Sequence, residues 1–272
     1  MAKLFISILL LFFTFPKPEK NWVAIGDSIT YINDNLAETD NRVSKGYMTL
    51  VSQKLPQYQY INKGYNGWTV IQIANKWQTL DIPTAEIYTI FLGTNDWWAG
   101  NTLGDINDYK DDTGPSTVAG AYRLIIKQIR NINPAAKIVL ISPMKRVDFV
   151  YYKNYRNNAF GSYNPKSGQT LEEFVNLFTA IARHEKLAIV DLFHNPKLDY
   201  KKLVKYKLVE NEDGKIIKLR YPNFDELAFD PNTGLYPYPP KAAAMTYDGL
   251  HPSDAGYKVI ADEVIKAFGR LE

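Results

Sequence analysis

Residues 21–34 read NWVAIGDSITYIND, an apolar run from Trp22 to Ile25 that stops abruptly on Gly26, Asp27 and Ser28. A continuous apolar run of this length, rather than an alternating one, is the pattern of a strand buried on both faces. A turn after it needs the glycine and can use Asp27 as a cap for the next segment. Ser28, at the end of such a strand, is placed where a hydroxyl nucleophile would stand. Residues much further along decide between a plain turn and a reactive one.

Working outward, apolar runs alternate with helical patterns. Strands are expected at Trp22 to Gly26, Tyr58 to Asn62, Glu86 to Gly93, Lys137 to Ser142 and Leu187 to Phe193. Helices are expected at Tyr47 to Leu55, Val70 to Trp77, Ser116 to Asn131, Thr170 to His184 and from about Pro252 to Phe268. This alternation predicts an α/β fold with a parallel sheet of about five strands covered on both faces, and ligands at the carboxyl ends of the strands. Two stretches break the alternation. Residues 143–169 form a long polar and aromatic connection, and residues 198–247 contain a predicted hairpin whose turn is Asp213-Gly214.

The bulk composition narrows the function. With 46% hydrophobic and 22% charged residues, the chain has the make-up of a folded globular protein. A net charge of +3 with mixed signs supplies no basic patch, so nucleic acid is discounted as a partner. No cysteine is present, which removes disulfides, thiolate metal sites, a cysteine nucleophile and a lipid-modified cysteine. Residues 1–20 carry Lys3 and an apolar run from Leu4 to Phe15, the pattern of a signal peptide and too short for a bilayer span. The expectation is an exported chain (periplasmic, cell-surface or secreted) with one catalytic domain over residues 21–272.

Four further stretches carry chemistry. DGLHPSDAG, residues 248–256, places Asp248 three residues before His251, within reach of one imidazole nitrogen. That leaves the other nitrogen free as a base for a serine. Of the other two histidines, His184 closes a helix, where an imidazolium suits the dipole, and His194 follows the fifth strand near the ligand edge. GTND, residues 93–96, sets Asn95 at the end of the third strand. NKGYNG, residues 62–67, follows the second strand, where Gly64 lets a backbone N–H approach a ligand. Each block alone is also an ordinary turn or cap.

Taken together and in order, Gly26-Asp27-Ser28-Ile29, Gly64, Gly93-Thr94-Asn95-Asp96 and Asp248-Gly249-Leu250-His251 resemble the blocks of the SGNH hydrolases, the GDSL esterase/lipase family. Ile29 stands where leucine is more usual. The resemblance implies a flavodoxin-like three-layer α/β/α sandwich. It also implies Ser28 as nucleophile, His251 as base, Asp248 as its orienter, and an oxyanion hole from the N–H groups of Ser28 and Gly64 with the Asn95 amide. Asp27 and Asp96 then hold turns, and neither a metal nor an organic cofactor is required. Trp97 and Trp98, with Tyr151, Tyr152, Tyr155, Tyr163, Tyr236 and Tyr238 in the long connections, would suit stacking on sugar rings, or else pack those connections onto the body. The expected substrate is a small-molecule or glycan ester, most readily a carbohydrate or glycoconjugate carrying an O-acetyl or short acyl group. The alternatives are a lipid esterase, lysophospholipase or thioesterase of the same mechanism, and a non-catalytic glycan-binding module.

Overall fold

In the computed structural model, which describes residues 20–223, 229–232 and 234–271, the five expected strands form one parallel sheet. They are β1 (Lys20–Gly26), β2 (Tyr58–Gly64), β3 (Ile87–Phe91), β4 (Lys137–Ile141) and, later in the chain, β7 (Ala188–Val190). Their order is β2-β1-β3-β4-β7, with β1 paired to both β2 and β3. Successive connections therefore diverge from β1 in opposite directions, which opens a crevice at its carboxyl end, as in flavodoxin-like sheets.

Burial explains why the strand sequences lack alternation. In β1, Trp22 and Ala24 join one apolar cluster and Val23 and Ile25 the other, all fully buried. In β3, Ile87 and Phe91 face the first cluster and Tyr88 and Ile90 the second. Each buried Val, Ile or Phe among them contributes about 1.5–3 kcal/mol by leaving water. The first face is covered by α2 (Tyr47–Lys54) and α9 (Asp254–Gly269). The second is covered by α3 (Val70–Lys76), α6 (Val118–Ile132) and α7 (Leu171–Glu185). Thr69 with Gln72 and Thr170 with Glu173 close reciprocal capping boxes on α3 and α7, and Thr117 caps α6.

Several boundaries differ from expectation. Pro252 precedes the last helix instead of opening it, because Ser253 is the N-cap, accepting from Gly256 N–H. The fifth strand is short, and Asp191 beyond it turns back to bind the N–H of His194. Short helices α1 (Ser28–Tyr31), α4 (Thr94–Ala99), α5 (Ile106–Lys110) and α8 (Tyr200–Leu203) were not expected. Residues 143–169 contain an antiparallel hairpin, β5 (Phe149–Tyr151) and β6 (Asn154–Ala159), which their polar composition concealed. The expected hairpin is present as β8 (Lys207–Glu210) and β9 (Ile216–Leu219), with Gly214 at φ +72° in its turn.

The predicted leader falls outside the described residues save for Lys20. Among the described residues no helix is long and apolar enough to cross a membrane.

Candidate active site

The end of β1 is shaped by what Gly26 leaves out. A Cβ there would lie 2.0 Å from Thr30 Oγ1, so only glycine lets α1 fold back tightly on the strand. Asp27 then caps α1, its Oδ1 accepting the Ile29 N–H at 3.0 Å. Burial pushes the Asp27 carboxyl up to about 6. Ser28, the first residue of α1, is turned toward the chain's distant C-terminal segment.

There its Oγ lies 2.9 Å from His251 Nε2, while His251 Nδ1 lies 2.7 Å from Asp248 Oδ2. Asp248 Oδ1 also accepts the N–H groups of Leu250 (3.0 Å) and His251 (2.7 Å), so the loop holds its own carboxylate in place. A carboxylate only accepts, which puts the imidazole proton on Nδ1 and leaves Nε2 to accept from Ser28. Tyr247 stacks on the imidazole with ring centres 5.9 Å apart, and Phe149 of β5 meets it edge-on at 5.5 Å. Gly249 stands at φ +92°, and a Cβ there would fall 1.9 Å from the Asp148 carbonyl oxygen. Its own carbonyl accepts the Val147 N–H at 3.0 Å. The histidine loop is thus pressed directly onto the segment leading into β5.

Asn95 enters from α4. Its Nδ2 donates one hydrogen to Trp68 O at 3.0 Å, which orients the amide. Asp96, fully buried, accepts from Val70 N–H at 2.8 Å and from Asn101 Nδ2 at 3.1 Å, with desolvation raising its pKa. Together they tie α4 to the start of α3 and to the loop before it. A cleft of about 460 Å³ opens over Ser28 and His251, lined also by Gly67, Asn95, Trp98 and Phe149. A buried hydroxyl hydrogen-bonded to an imidazole that is backed by a carboxylate is the arrangement that activates serine for attack on a carbonyl carbon.

The sequence profile of the GDSL-like lipase/acylhydrolase family matches residues 24–259. The chain belongs to this family. Family membership makes it a hydrolase acting on esters. Among solved structures, one described as a possible lipase from Chitinophaga pinensis is 52% identical, with a TM-score of 0.92, covering 93% of this chain and 99% of that one. A Lactobacillus plantarum protein (17% identity, TM-score 0.60, 92% and 97% covered) shares the fold. So does an acetyl xylan esterase (18%, TM-score 0.55, 91% and 98% covered). A search of curated proteins returns no match.

Two residues expected in the site of this GDSL-family chain lie elsewhere. Gly64 completes β2, and its N–H is spent on Asn62 Oδ1 at 2.8 Å. A Cβ at Gly64 would meet Tyr31 N at 2.3 Å, so this glycine serves the packing of α1 on β2. The glycine at the cleft is Gly67, at φ +76°, and its N–H has no partner among the described residues. Trp97 is buried and its indole N–H donates to Gln169 O at 3.0 Å, so only Trp98 of the pair lines the cleft.

The remaining candidates divide between the site and its scaffold. His194 is exposed, bonded to Asp191 and Glu172, which raise its pKa, and lines no part of the cleft. His184 meets the Tyr109 ring edge-on at 5.9 Å. Tyr238 is buried, donating to Asp148 O at 2.7 Å, and Tyr163 donates to the Asp148 carboxylate. Tyr155 stacks on Tyr236 with centres 5.7 Å apart, and Tyr152 packs on Tyr151 and Arg42. Sequence reasoning missed Arg146, whose buried guanidinium lies 4.7 Å from the Trp98 ring centre and whose pKa burial lowers to about 10. It also missed Phe149 and Asn157, hidden in the unrecognised hairpin. Among the described residues no cluster of three or more His, Asp or Glu side chains could hold a metal ion.

Proposed function

We propose that this protein is an exported serine esterase that removes acetyl or other short acyl groups from carbohydrates or glycoconjugates through an acyl-Ser28 intermediate. The observation that carries this reading is the unbroken hydrogen-bond chain from Ser28 Oγ through His251 to Asp248.

Ser28 Oγ attacks the ester carbonyl carbon as His251 Nε2 takes its proton. The carbonyl oxygen becomes an oxyanion, received by the N–H groups of Ser28 and Gly67 and by the second Asn95 Nδ2 hydrogen. Collapse breaks the ester C–O bond, and His251 Nε2–H protonates the departing alcohol. Water then gives a proton to Nε2 and attacks the acyl-serine carbon; collapse breaks the acyl–Oγ bond, Nε2–H returns its proton to Ser28 Oγ, and the acid leaves. Asp248 remains a carboxylate throughout and holds the Nδ1 proton.

The carbohydrate assignment is supported by the cleft's lining. Asn66, Gln72 and Asn157 offer hydrogen bonds to hydroxyls, beside apolar surface from Trp98 and Phe149. A lipid esterase would instead want a continuous apolar groove. The test is hydrolysis of 4-nitrophenyl acetate, followed by acetate release from a panel of acetylated glycans. Turnover no faster than that of Ser28→Ala would favour a glycan-binding module.

A further inference from the structure

Beside the cleft lies a second, smaller chamber of about 140 Å³, walled by Phe149, Tyr151 and Tyr247 and reached by Glu38, Asn66 and Asn157. His251, Phe149, Asn66 and Asn157 line both spaces, whereas Ser28 and Asn95 line only the larger one. The proton balance of the proposed mechanism orients an ester across this partition. The carbonyl carbon must sit at Ser28 and its oxygen at Asn95, so the acyl group stays in the wider cleft. The ester oxygen must receive its proton from His251 Nε2, so the alcohol half leaves on the side of the imidazole, where the chamber begins.

We infer that this chamber is the subsite for the alcohol half of the substrate, and that it selects a compact, polyhydroxylated ring by hydrogen bonds from Glu38 and Asn157. The inference rests on the esterase reading above. At about 140 Å³ against about 460 Å³ for the cleft, the chamber suits one small ring better than a long chain. Glu38 Oε1 accepts from Tyr31 OH at 3.3 Å, while its Oε2 and the Asn157 side chain have no hydrogen-bond partner among the described residues. Unspent acceptors and donors between aromatic walls match alternating hydroxyls and C–H faces of a sugar ring. A site built to bind a hydroxyl rejects an analogue lacking it, because its polar groups are then left unpaired. Asn157 belongs to β6 and Tyr151 to β5, so the hairpin between β4 and α7 supplies much of this selectivity.

The test compares two acetates of secondary ring alcohols: a methyl glycopyranoside carrying one acetyl group, and cyclohexyl acetate. The wild-type protein should favour the first by about 100-fold or more in kcat/KM. Glu38→Ala and Asn157→Ala should each lower that ratio by about tenfold or more, the value of one well-made hydrogen bond. Glu38→Gln, which keeps an acceptor, should retain most of the ratio. A merely structural role would slow both esters alike and leave the ratio unchanged, overturning the inference, as would a wild-type ratio near one. Loss in Glu38→Gln equal to that in Glu38→Ala would mean that the chamber reads positive charge, which also overturns it. Labelling of Ser28 by a fluorophosphonate and turnover of 4-nitrophenyl acetate separate the two levels. If both succeed while the ratio fails, the subsite falls alone; if both fail, the esterase reading falls and takes the subsite with it.

Discussion

Lys207 Nζ and Asp148 Oδ2 meet at 2.7 Å, with both side chains almost wholly withdrawn from water. Asp148 also accepts the Gly161 N–H at 2.9 Å and the Tyr163 hydroxyl. One carboxylate thus fastens β8 and the end of β6 to the segment that supports His251. Lys207→Met would leave this carboxylate buried without the cation that touches it, with only the more distant Arg146 charge nearby. The expected cost is up to about 3–5 kcal/mol in urea unfolding, the range for breaking a buried ion pair by removing one partner. A loss under about 1 kcal/mol would show that water reaches Asp148 once the lysine is gone.

Ser28→Ala should fold normally and lose nearly all turnover. Mass spectrometry after fluorophosphonate treatment should place the adduct on Ser28. Ser142 and Ser253 are unsuited to react. Ser142 Oγ accepts the N–H of Leu192 and lies fully buried, and Ser253 caps α9. An adduct on either would refute the nucleophile assignment.

The histidines should separate cleanly. His251→Ala removes the only imidazole bonded to Ser28 and should abolish activity, whereas His194→Ala and His184→Ala should retain most of it. His194 serves a surface cluster with Glu172 and Asp191. Comparable losses in kcat from His194→Ala would move the base to that cluster.

Asn95→Ala tests the oxyanion donor apart from the nucleophile. Charge develops on the substrate oxygen only near the transition state, so kcat should fall by about 10²–10³ while KM changes little. Slow labelling of Ser28 should persist. A raised KM at constant kcat would make Asn95 a substrate-positioning residue instead.

Asp27→Asn should change how stability depends on pH. Burial raises the folded carboxyl from 3.8 to about 6, so between those values the folded state holds a proton that the unfolded chain has released. Wild-type stability therefore falls as pH rises through this window, by up to roughly 3 kcal/mol. Asparagine caps a helix as well as aspartate does. The variant should lack this decline, a difference that denaturant titrations at pH 4 and pH 7 would read. Parallel curves for the two proteins would refute it.

The sheet and the pairing of Asp248 with His251 were legible because each rests on a local rule: an uninterrupted apolar run, or a carboxylate one turn before an imidazole. Choosing between Gly64 and Gly67 required more. The two differ in which N–H is already taken, and the hint was Asn62, whose side chain binds the backbone two residues on. Trp97 and Trp98 are adjacent in the chain, yet a helix turns successive residues about 100° apart, so one faces the core and the other the cleft. Their sequence does not say which until α4 is docked. The β5–β6 hairpin was invisible because half of it, Asn154 to Ala159, is polar and largely exposed, and its pairing depends on what it covers.

Gly249 leaves no gap between the histidine loop and Asp148, and this has a consequence for anyone wishing to redesign the protein. The stretch from Arg146 to Phe149 at once backs the histidine loop and forms the root of the hairpin that borders the cleft. Swapping the whole insertion for a foreign one would move the Asp148 carbonyl and unseat the imidazole. Grafts should instead begin beyond Phe149 and end before Gly161, whose N–H is the next fixed point on Asp148. Within those limits Val150 is fully buried and the Phe160 carbonyl accepts from Arg146, so a graft that keeps both should leave the segment supporting His251 in place.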